Sequence, residues 1–237
     1  DGGFWVIFTT QGPLDDASLN SARTAAILRQ ISIREFAAKY ANDVELAFTA
    51  ADAERIFASG KKIVFQSMEN AYPLGKDATL LETFYAGGLR MVAPVHFRNN
   101  QFADSATDVT PAFGGLSPIG EDLVREANRL GLLLDGSHAS DDTVRDMLAL
   151  STTPLILSHS GPKGVYDHPR NLPDDLLKAI ADDGGVIQVN AYGAYLEALT
   201  ATPERLAAIA AMEAEYGTDF SKMTPETIEA YRAARDE

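Results

Sequence analysis

The sequence predicts an α/β fold, and within that class a (β/α)8 barrel, from two observations. Short apolar segments recur along the chain with helical segments between them, and they are apolar on both faces, as buried parallel strands are. The length of 237 residues is close to the roughly 250 that a closed barrel typically needs. Because the chain is slightly short, we expect a TIM-like barrel that is clipped. The alternative is a doubly wound open sheet.

Seven segments are predicted as strands because each is a short apolar run. They are residues 3–9, 44–49, 62–68, 90–97, 132–137, 154–158 and 185–191. The sequence contains no glycine-rich dinucleotide motif, no phosphate loop and no nucleophile elbow. The strand pattern favours a barrel, and the absence of these motifs gives no support for nucleotide binding.

Helices are predicted from one long Ala-rich run, residues 20–40, and from capping residues. Helix starts are predicted at Thr49, Ser117 before Pro118, Ser140, Asn171, Thr202 before Pro203, and Thr224 before Pro225. Residues 197–237 are acidic and Ala-rich, and we interpret them as a helical insertion or appendage. The domain prediction is a single barrel domain over residues 1–237.

Composition limits the classes of partner. The 20 basic and 34 acidic residues give a net charge of -14, which disfavours nucleic acid and anionic membrane surfaces as main partners. The absence of cysteine excludes disulfides and thiolate ligands. No apolar run approaches the roughly 20 residues of a membrane-spanning helix. The compartment stays open between cytoplasm and periplasm, and any signal peptide would lie upstream, because the chain opens directly on a predicted strand.

The clearest chemical signal is a repeated Ser-His pair. The runs around Leu132–Leu134 and Pro154–Leu157 are each followed within a few residues by Ser-His, which places His138 and His159 at two predicted strand ends. Consecutive parallel strands deliver such residues to the same end of a sheet. Glu69 ends another predicted strand, and a carboxylate can bridge two metal ions. The sequence therefore predicts Glu69, His138 and His159 as metal ligands.

Two further residues are candidates with alternatives left open. His96 also ends a predicted strand and could be a ligand, a proton donor, a substrate contact or a polar residue tied to a loop backbone. Arg170 follows Pro169 and precedes Asn171, so the base of its side chain is anchored. Its guanidinium suits capture of a substrate carboxylate, or a structural salt bridge.

Several blocks of sequence resemble the membrane dipeptidase family, also called renal dipeptidase-like peptidases. The blocks are GGFWVIFT, KIVFQSMEN, RMVAPVHFRNNQFADSA, LLLDGSHAS, LILSHS, YDHPRN and GGVIQVNAY. They occur in the family's order and cover most of residues 2–195. The segments VHFRNNQFADSATD and LSHSGPKGVYDHPRN are similar to the bacterial branch.

The resemblance implies a (β/α)8 barrel of the metal-dependent hydrolase type with two zinc ions. It implies hydrolysis of dipeptides, often with tolerance for a D-residue at the C-terminal position. Glu69 matches the bridging glutamate, and His138 and His159 match two histidines on one zinc. His96 matches the catalytic histidine that contacts the substrate or the tetrahedral intermediate, and Arg170 matches the arginine that holds the substrate carboxylate.

The sequence departs from the family's pattern in two places. No His-x-Asp pair occurs in it, and no Gly-Ser-Asp-type block follows the last predicted strand. Both departures lie at the termini, and we expect truncation to explain them, so that the barrel is incomplete at both ends in this chain.

The functional prediction is a zinc dipeptidase that acts on a small dipeptide through a metal-activated hydroxide. The alternatives are a metal-dependent barrel hydrolase for other small amides, lactams or lactones, and a catalytically inactive barrel that binds peptide or metal. The sequence is compatible with a homodimer, and neither nucleic acid nor a membrane-spanning segment is expected.

Overall fold

The computed structural model describes residues 1–108, 110–217 and 224–236, and they form an α/β protein with parallel strands. The chain divides into two compact units, Asp1–Leu196 and Glu197–Glu237. The first holds the strands and six helices, and the second holds two helices among its described residues. The prediction that residues 197–237 are an appendage of a single barrel domain stays a prediction.

Eight strands occur in the described residues. They are β1 (Gly2–Phe8), β2 (Val44–Leu46), β3 (Lys62–Glu69), β4 (Leu89–Ala93), β5 (Leu133–Leu134), β6 (Ile156–Pro162), β7 (Asn171–Leu172) and β8 (Val186–Val189). One sheet runs in the order β1-β3-β4-β5, with β2 paired to the start of β3. A second runs β7-β6-β8. A parallel bridge between Asp135 and Ile156 joins the two.

The sheet order agrees with a (β/α) barrel that is open along one side. Strands β1, β3, β4, β5, β6 and β8 follow one another as parallel neighbours, and no closed barrel forms within the described residues. Among those residues, β1 and β8 each pair with one strand. Their side chains are more exposed than the sequence predicted, as Val189 at 71% illustrates, because each lacks a neighbour on its outer side.

The first six helices lie between strands along the chain, as expected of such a barrel, and the last two follow β8. They are α1 (Asp16–Lys39), α2 (Ala50–Ala58), α3 (Leu81–Ala86), α4 (Pro118–Leu130), α5 (Asp141–Leu150), α6 (Asp174–Asp182), α7 (Pro203–Tyr216) and α8 (Pro225–Asp236). None of the described helices is both long enough and apolar enough to cross a membrane.

Most predicted caps are found, and one is wrong. Thr49, Ser117, Ser140 and Thr202 each accept a hydrogen bond from a backbone N–H in the first turn of a helix. Asn171 lies instead in β7, where its side-chain amide donates to the carbonyls of Tyr166 and Tyr195. Pro173 stands at the N-cap position of α6, so the helix begins two residues later than the asparagine indicated.

The core packs one face of the helices against the sheet. Strand residues Ile7, Val64, Met68, Val92, Leu134 and Leu157 are at most 1% exposed and contact buried residues of the helices. Burial of this kind, worth about 25 cal/mol per Å² of apolar surface, fixes the register of the strands. The residues that follow the strands are thereby held at fixed positions on one rim.

Candidate metal centre

The predicted ligands come from three parallel strands and the residues that follow them, and they lie close together. Glu69 is the last residue of β3, His138 lies four residues beyond β5, and His159 lies within β6. The connected strands are parallel, so their carboxyl ends share one rim, where the functional groups of barrels gather. Residues distant in sequence therefore meet at one point.

The donor atoms of these three residues form a small triangle. The Oε1 atom of Glu69 lies 3.1 Å from Nε2 of His138 and 3.2 Å from Nε2 of His159. The two Nε2 atoms are 2.9 Å apart. Ligand atoms at about 2.0–2.1 Å from a tetrahedral zinc lie roughly 3.3 Å from one another. The spacing of the triangle fits the ligation of one cation.

His96 lies at the edge of the same cluster. Its Nε2 is 3.7 Å from Oε1 of Glu69, and the donor atoms of Glu69, His96 and His138 all lie within 4.8 Å of one another. The sequence placed His96 at the end of a strand, but β4 ends at Ala93, and His96 sits in the turn that follows. Of the three histidines that lie within 4 Å of the Glu69 oxygen, it is the most distant.

The protonation states suit metal binding. Burial lowers the pKa of His138 to about 4, although the neighbouring carboxylate of Glu69 acts the other way. Burial also lowers the pKa of His96. For Glu69, burial raises the pKa, but the neighbouring imidazoles of His138 and His159 outweigh it, and the pKa lies well below its usual range. At neutral pH the cluster therefore offers a carboxylate and at least two neutral imidazoles, which are the ligating forms.

Two residues at the site adopt the left-handed backbone conformation, and they help to orient the predicted ligands. Asn70, directly after Glu69, has φ of 78°, and His138 has φ of 71°. Such values are uncommon outside glycine and concentrate at functional sites. Asn70 is held by side-chain hydrogen bonds with Gln11 at 3.0 Å and Asn100 at 2.8 Å. These hydrogen bonds hold Asn70 in its left-handed conformation and thereby orient the preceding residue, Glu69.

The residues present fit a divalent cation. Three atoms that can ligate a metal, one of them on an anionic carboxylate, lie within about 3 Å of one another. Their lone pairs repel one another unless a proton or a cation lies between them. The Nδ1 atom of His159 faces a hydroxyl group, as expected of a metal-ligating histidine. The Nδ1 atom of His138 has no hydrogen-bond partner within the described residues, and its ring is held by packing, with the side chain 4% exposed.

Arg170 lies beside the cluster in a cavity of about 400 Å³. Glu69, His96, His138 and His159 line the same cavity. The Nη2 atom of Arg170 donates to the carbonyl of His159 at 3.0 Å, while its Nε has no partner within the described residues. The structural salt bridge that the sequence left open for Arg170 does not occur within the described residues, where its Nη2 atom contacts a carbonyl group. The cavity therefore places the positively charged guanidinium of Arg170 beside the carboxylate and imidazole groups that can ligate a metal.

Three groups around the site were not predicted from the sequence. Asp135 and Ser158 form hydrogen bonds behind His159. Tyr195 places its ring 5.5 Å from the guanidinium carbon of Arg170. The aspartate and the serine stand in the same LLLDGSH and LILSHS blocks as the histidines, so the signal was present. Tyr195 carries no such signal, because a short 3-10 turn after β8 brings it to the cavity.

Comparison with known proteins gives a consistent match. The family model described as membrane dipeptidase, peptidase family M19, matches residues 1–230. A Schizosaccharomyces pombe protein named as an uncharacterized dipeptidase is 36% identical over 203 residues, covering 82% of this chain and 50% of that protein. The dipeptidase tcpJ of Claviceps purpurea is 39% identical over 151 residues, covering 64% of this chain and 36% of that protein.

The fold match is equally direct. The crystal structure of the probable dipeptidase PvdM from Pseudomonas aeruginosa superposes with a TM-score of 0.76 at 31% identity, covering 93% of this chain and 60% of that one. The chain spans half or less of the length of the two curated relatives described above. Assignment to the bacterial branch stays a prediction.

Proposed function

Because the chain belongs to the membrane dipeptidase family, peptidase family M19, we propose that the whole protein is a metal-dependent dipeptidase. The substrate class is a short peptide with a free C-terminal carboxylate, including dipeptides with a D-residue at that end. The relatives named as dipeptidases support the reaction class. The geometry of the rim supports the assignment of roles to residues.

The observation that carries the proposal is the convergence of Glu69, His138 and His159. Their donor atoms lie 2.9–3.2 Å apart, and they open into the cavity that also contains Arg170. A zinc ion bound there would supply an activated water and polarise the scissile carbonyl. We assign all three residues as metal ligands, with zinc as the metal.

The number of ions is a further part of the proposal. Glu69 uses Oε1 for its contacts with both imidazoles, and a carboxylate can hold a second ion through its other oxygen. We propose two zinc ions with Glu69 between them. The second ion would need ligands besides these three residues.

Arg170 and His96 are assigned to the substrate. The Arg170 guanidinium is 2% exposed overall and keeps its Nε free, so it can bind the peptide carboxylate and limit the length of peptide that fits. His96 is neutral at pH 7 and carries one N–H. Its position beside Glu69 suits a hydrogen bond to the substrate oxygen that gains charge as the peptide carbon becomes tetrahedral.

The test combines metal counting with turnover. We expect the protein to contain zinc and to hydrolyse dipeptides such as L-Ala-D-Ala. Their C-terminal amides should be hydrolysed only slowly, and simple lactones not at all. The His138→Ala and Glu69→Gln variants should lose zinc and turnover together. Glu69→Gln preserves the shape of the side chain, so it covers the case in which His138→Ala does not fold.

The matched control is Glu82→Gln, which alters an exposed carboxylate on α3 and should leave both quantities unchanged. Full zinc content and full turnover in Glu69→Gln would overturn the ligand assignment. Zinc binding combined with lactone hydrolysis and no peptide hydrolysis would instead indicate the alternative hydrolase.

A further inference from the structure

A chain of hydrogen bonds extends behind His159, away from the cavity. The Nδ1 atom of His159 lies 2.8 Å from the hydroxyl of Ser158. That hydroxyl donates to Oδ2 of Asp135 in a short hydrogen bond. Asp135 is buried, with 3% exposure, and stands just after β5, whereas Ser158 and His159 belong to β6. The contact therefore links the end of β5 to the middle of the neighbouring strand β6.

The direction of each hydrogen bond follows from which of the polar atoms can carry a proton. A carboxylate has no proton to donate, so the single hydroxyl proton of Ser158 goes to Asp135. The Ser158 oxygen can then only accept from the ring of His159, which requires a proton on Nδ1. A neutral imidazole with its proton on Nδ1 has a lone pair on Nε2. This is the atom that faces Glu69 and His138.

We propose that Asp135 and Ser158 are positioning residues that hold His159 in the Nδ1–H tautomer, ready to ligate a metal through Nε2. The inference rests on the proposed function and deepens it. His159 needs such a device because its side chain is 33% exposed, so packing alone does not fix the ring. His138, at 4% exposure, is fixed by packing and has no equivalent hydrogen bond within the described residues.

The two carboxylate oxygens of Asp135 have different roles, because one stabilises the sheet and the other holds the Ser158 hydroxyl. Oδ1 accepts from the backbone N–H groups of Ser137 at 2.9 Å and Ser158 at 3.0 Å, which ties β5 to β6. Oδ2 accepts from the Ser158 hydroxyl. Removing that hydroxyl leaves both Oδ1 contacts in place. Ser158→Ala therefore separates ring positioning from the cohesion of the sheet, which Asp135→Asn would not.

The experiment measures the His159 tautomer and the zinc affinity in the same variants. Two-bond proton–nitrogen correlation spectra of the metal-free protein report which ring nitrogen carries the proton. Competition with a chromophoric chelator gives the Kd for zinc. We expect the Nδ1–H tautomer in the unaltered protein. Ser158→Ala should give a mixture with the Nε2–H form and a zinc affinity lower by about 10–100-fold.

Two variants serve as controls. Ser158→Thr keeps the hydroxyl and should restore both the tautomer and the affinity. Ser160→Ala removes a buried hydroxyl from the same strand that has no hydrogen-bond partner within the described residues, and it should change neither quantity. An unchanged tautomer in Ser158→Ala, with a zinc Kd within about twofold of the original, would overturn the proposal.

Failure of the proposed function gives a different result. A protein that binds zinc without hydrolysing dipeptides would refute the peptidase assignment, and the zinc Kd of Ser158→Ala would still decide the role of the serine. A protein that binds no zinc would refute the metal centre. In that case the tautomer spectra alone decide, since an Nε2–H ring in the unaltered protein contradicts the positioning role.

Discussion

Arg170 is buried but keeps part of its hydrogen-bonding capacity unused. A guanidinium has five N–H donors, and the contacts of Arg170 include one carbonyl, that of His159. Burial lowers its pKa, yet the group stays charged at neutral pH because its ordinary value is so high. A buried cation with a free donor at a cavity wall favours an anionic ligand. The C-terminal carboxylate of a dipeptide satisfies that requirement.

Replacing Arg170 by lysine should weaken the proposed dipeptidase activity in a substrate-dependent way. Lysine keeps the charge but loses the planar pair of donors, so we expect kcat/KM for dipeptides to fall by about 10–100-fold, which corresponds to about 1.5–3 kcal/mol for a charge-assisted hydrogen bond. Steady-state kinetics on L-Ala-D-Ala and on its C-terminal amide would check this. The slow hydrolysis of the amide should not fall further in Arg170→Lys, and an equal loss on both substrates would contradict carboxylate binding.

At the scale of residues, the sequence was informative where chemistry is local. The Ser-His pairs and Glu69 could be singled out because each stands within a few residues of an apolar run. Asp135 could not be linked to His159, since that contact depends on the register between β5 and β6 and on a serine between them. The left-handed conformation of His138 was equally invisible, because no glycine or asparagine marks the position.

Among the longer segments, the connection from β4 to α4 is organised by one carboxylate. Asp104 is 1% exposed, and its oxygens accept backbone N–H groups from residues 112–115 at 2.7–3.2 Å. Its own carbonyl accepts from Ser140 and Thr143 at the start of α5. Asp104 therefore joins this connection, which begins just before His96, to the helix that follows the His138 turn.

Asp104→Asn should destabilise the protein without touching the metal centre. The amide replaces one acceptor oxygen by a donor that faces several backbone N–H groups, so we expect a loss of about 2–4 kcal/mol in the free energy of unfolding. Urea denaturation would measure it. Asp122→Asn, on an exposed face of α4, is the control and should change stability by less than about 0.5 kcal/mol. Equal stabilities of the two variants would show that the N–H groups find other acceptors.

Elements were predictable where pattern and capping agree. The starts of α2, α4, α5 and α7 follow from Thr or Ser side chains that the structure shows accepting hydrogen bonds. The strand predicted over 132–137 has two residues in the strand β5, since the chain turns at Asp135 to deliver His138. The prediction for 90–97 overran β4 for a similar reason, because the chain leaves the sheet before His96.

For the molecule as a whole, the metal-type donors connect parts of the sheet that are far apart in sequence. Glu69 ends β3, while His138 and His159 lie near β5 and within β6, so one bound ion would link both sheets. Those sheets are joined in the described residues by the bridge between Asp135 and Ile156 and by the hydrogen bonds of neighbouring loops. A ligand that binds the folded state and not the unfolded chain stabilises it by mass action.

Zinc should therefore raise the thermal stability of the protein measurably. At a free concentration 100 times the Kd, binding to one site adds about 2.7 kcal/mol, which for a chain of this size raises Tm by roughly 5–10 °C. Calorimetry with zinc and after chelation would measure the shift. His159→Ala, which removes a partly exposed side chain, should abolish the zinc-dependent shift while changing the metal-free Tm little. Glu121→Gln, on the surface of α4, should keep the shift. A zinc-dependent rise of the same size in His159→Ala would mean that the ion binds elsewhere, because a site without this imidazole loses one corner of the donor triangle.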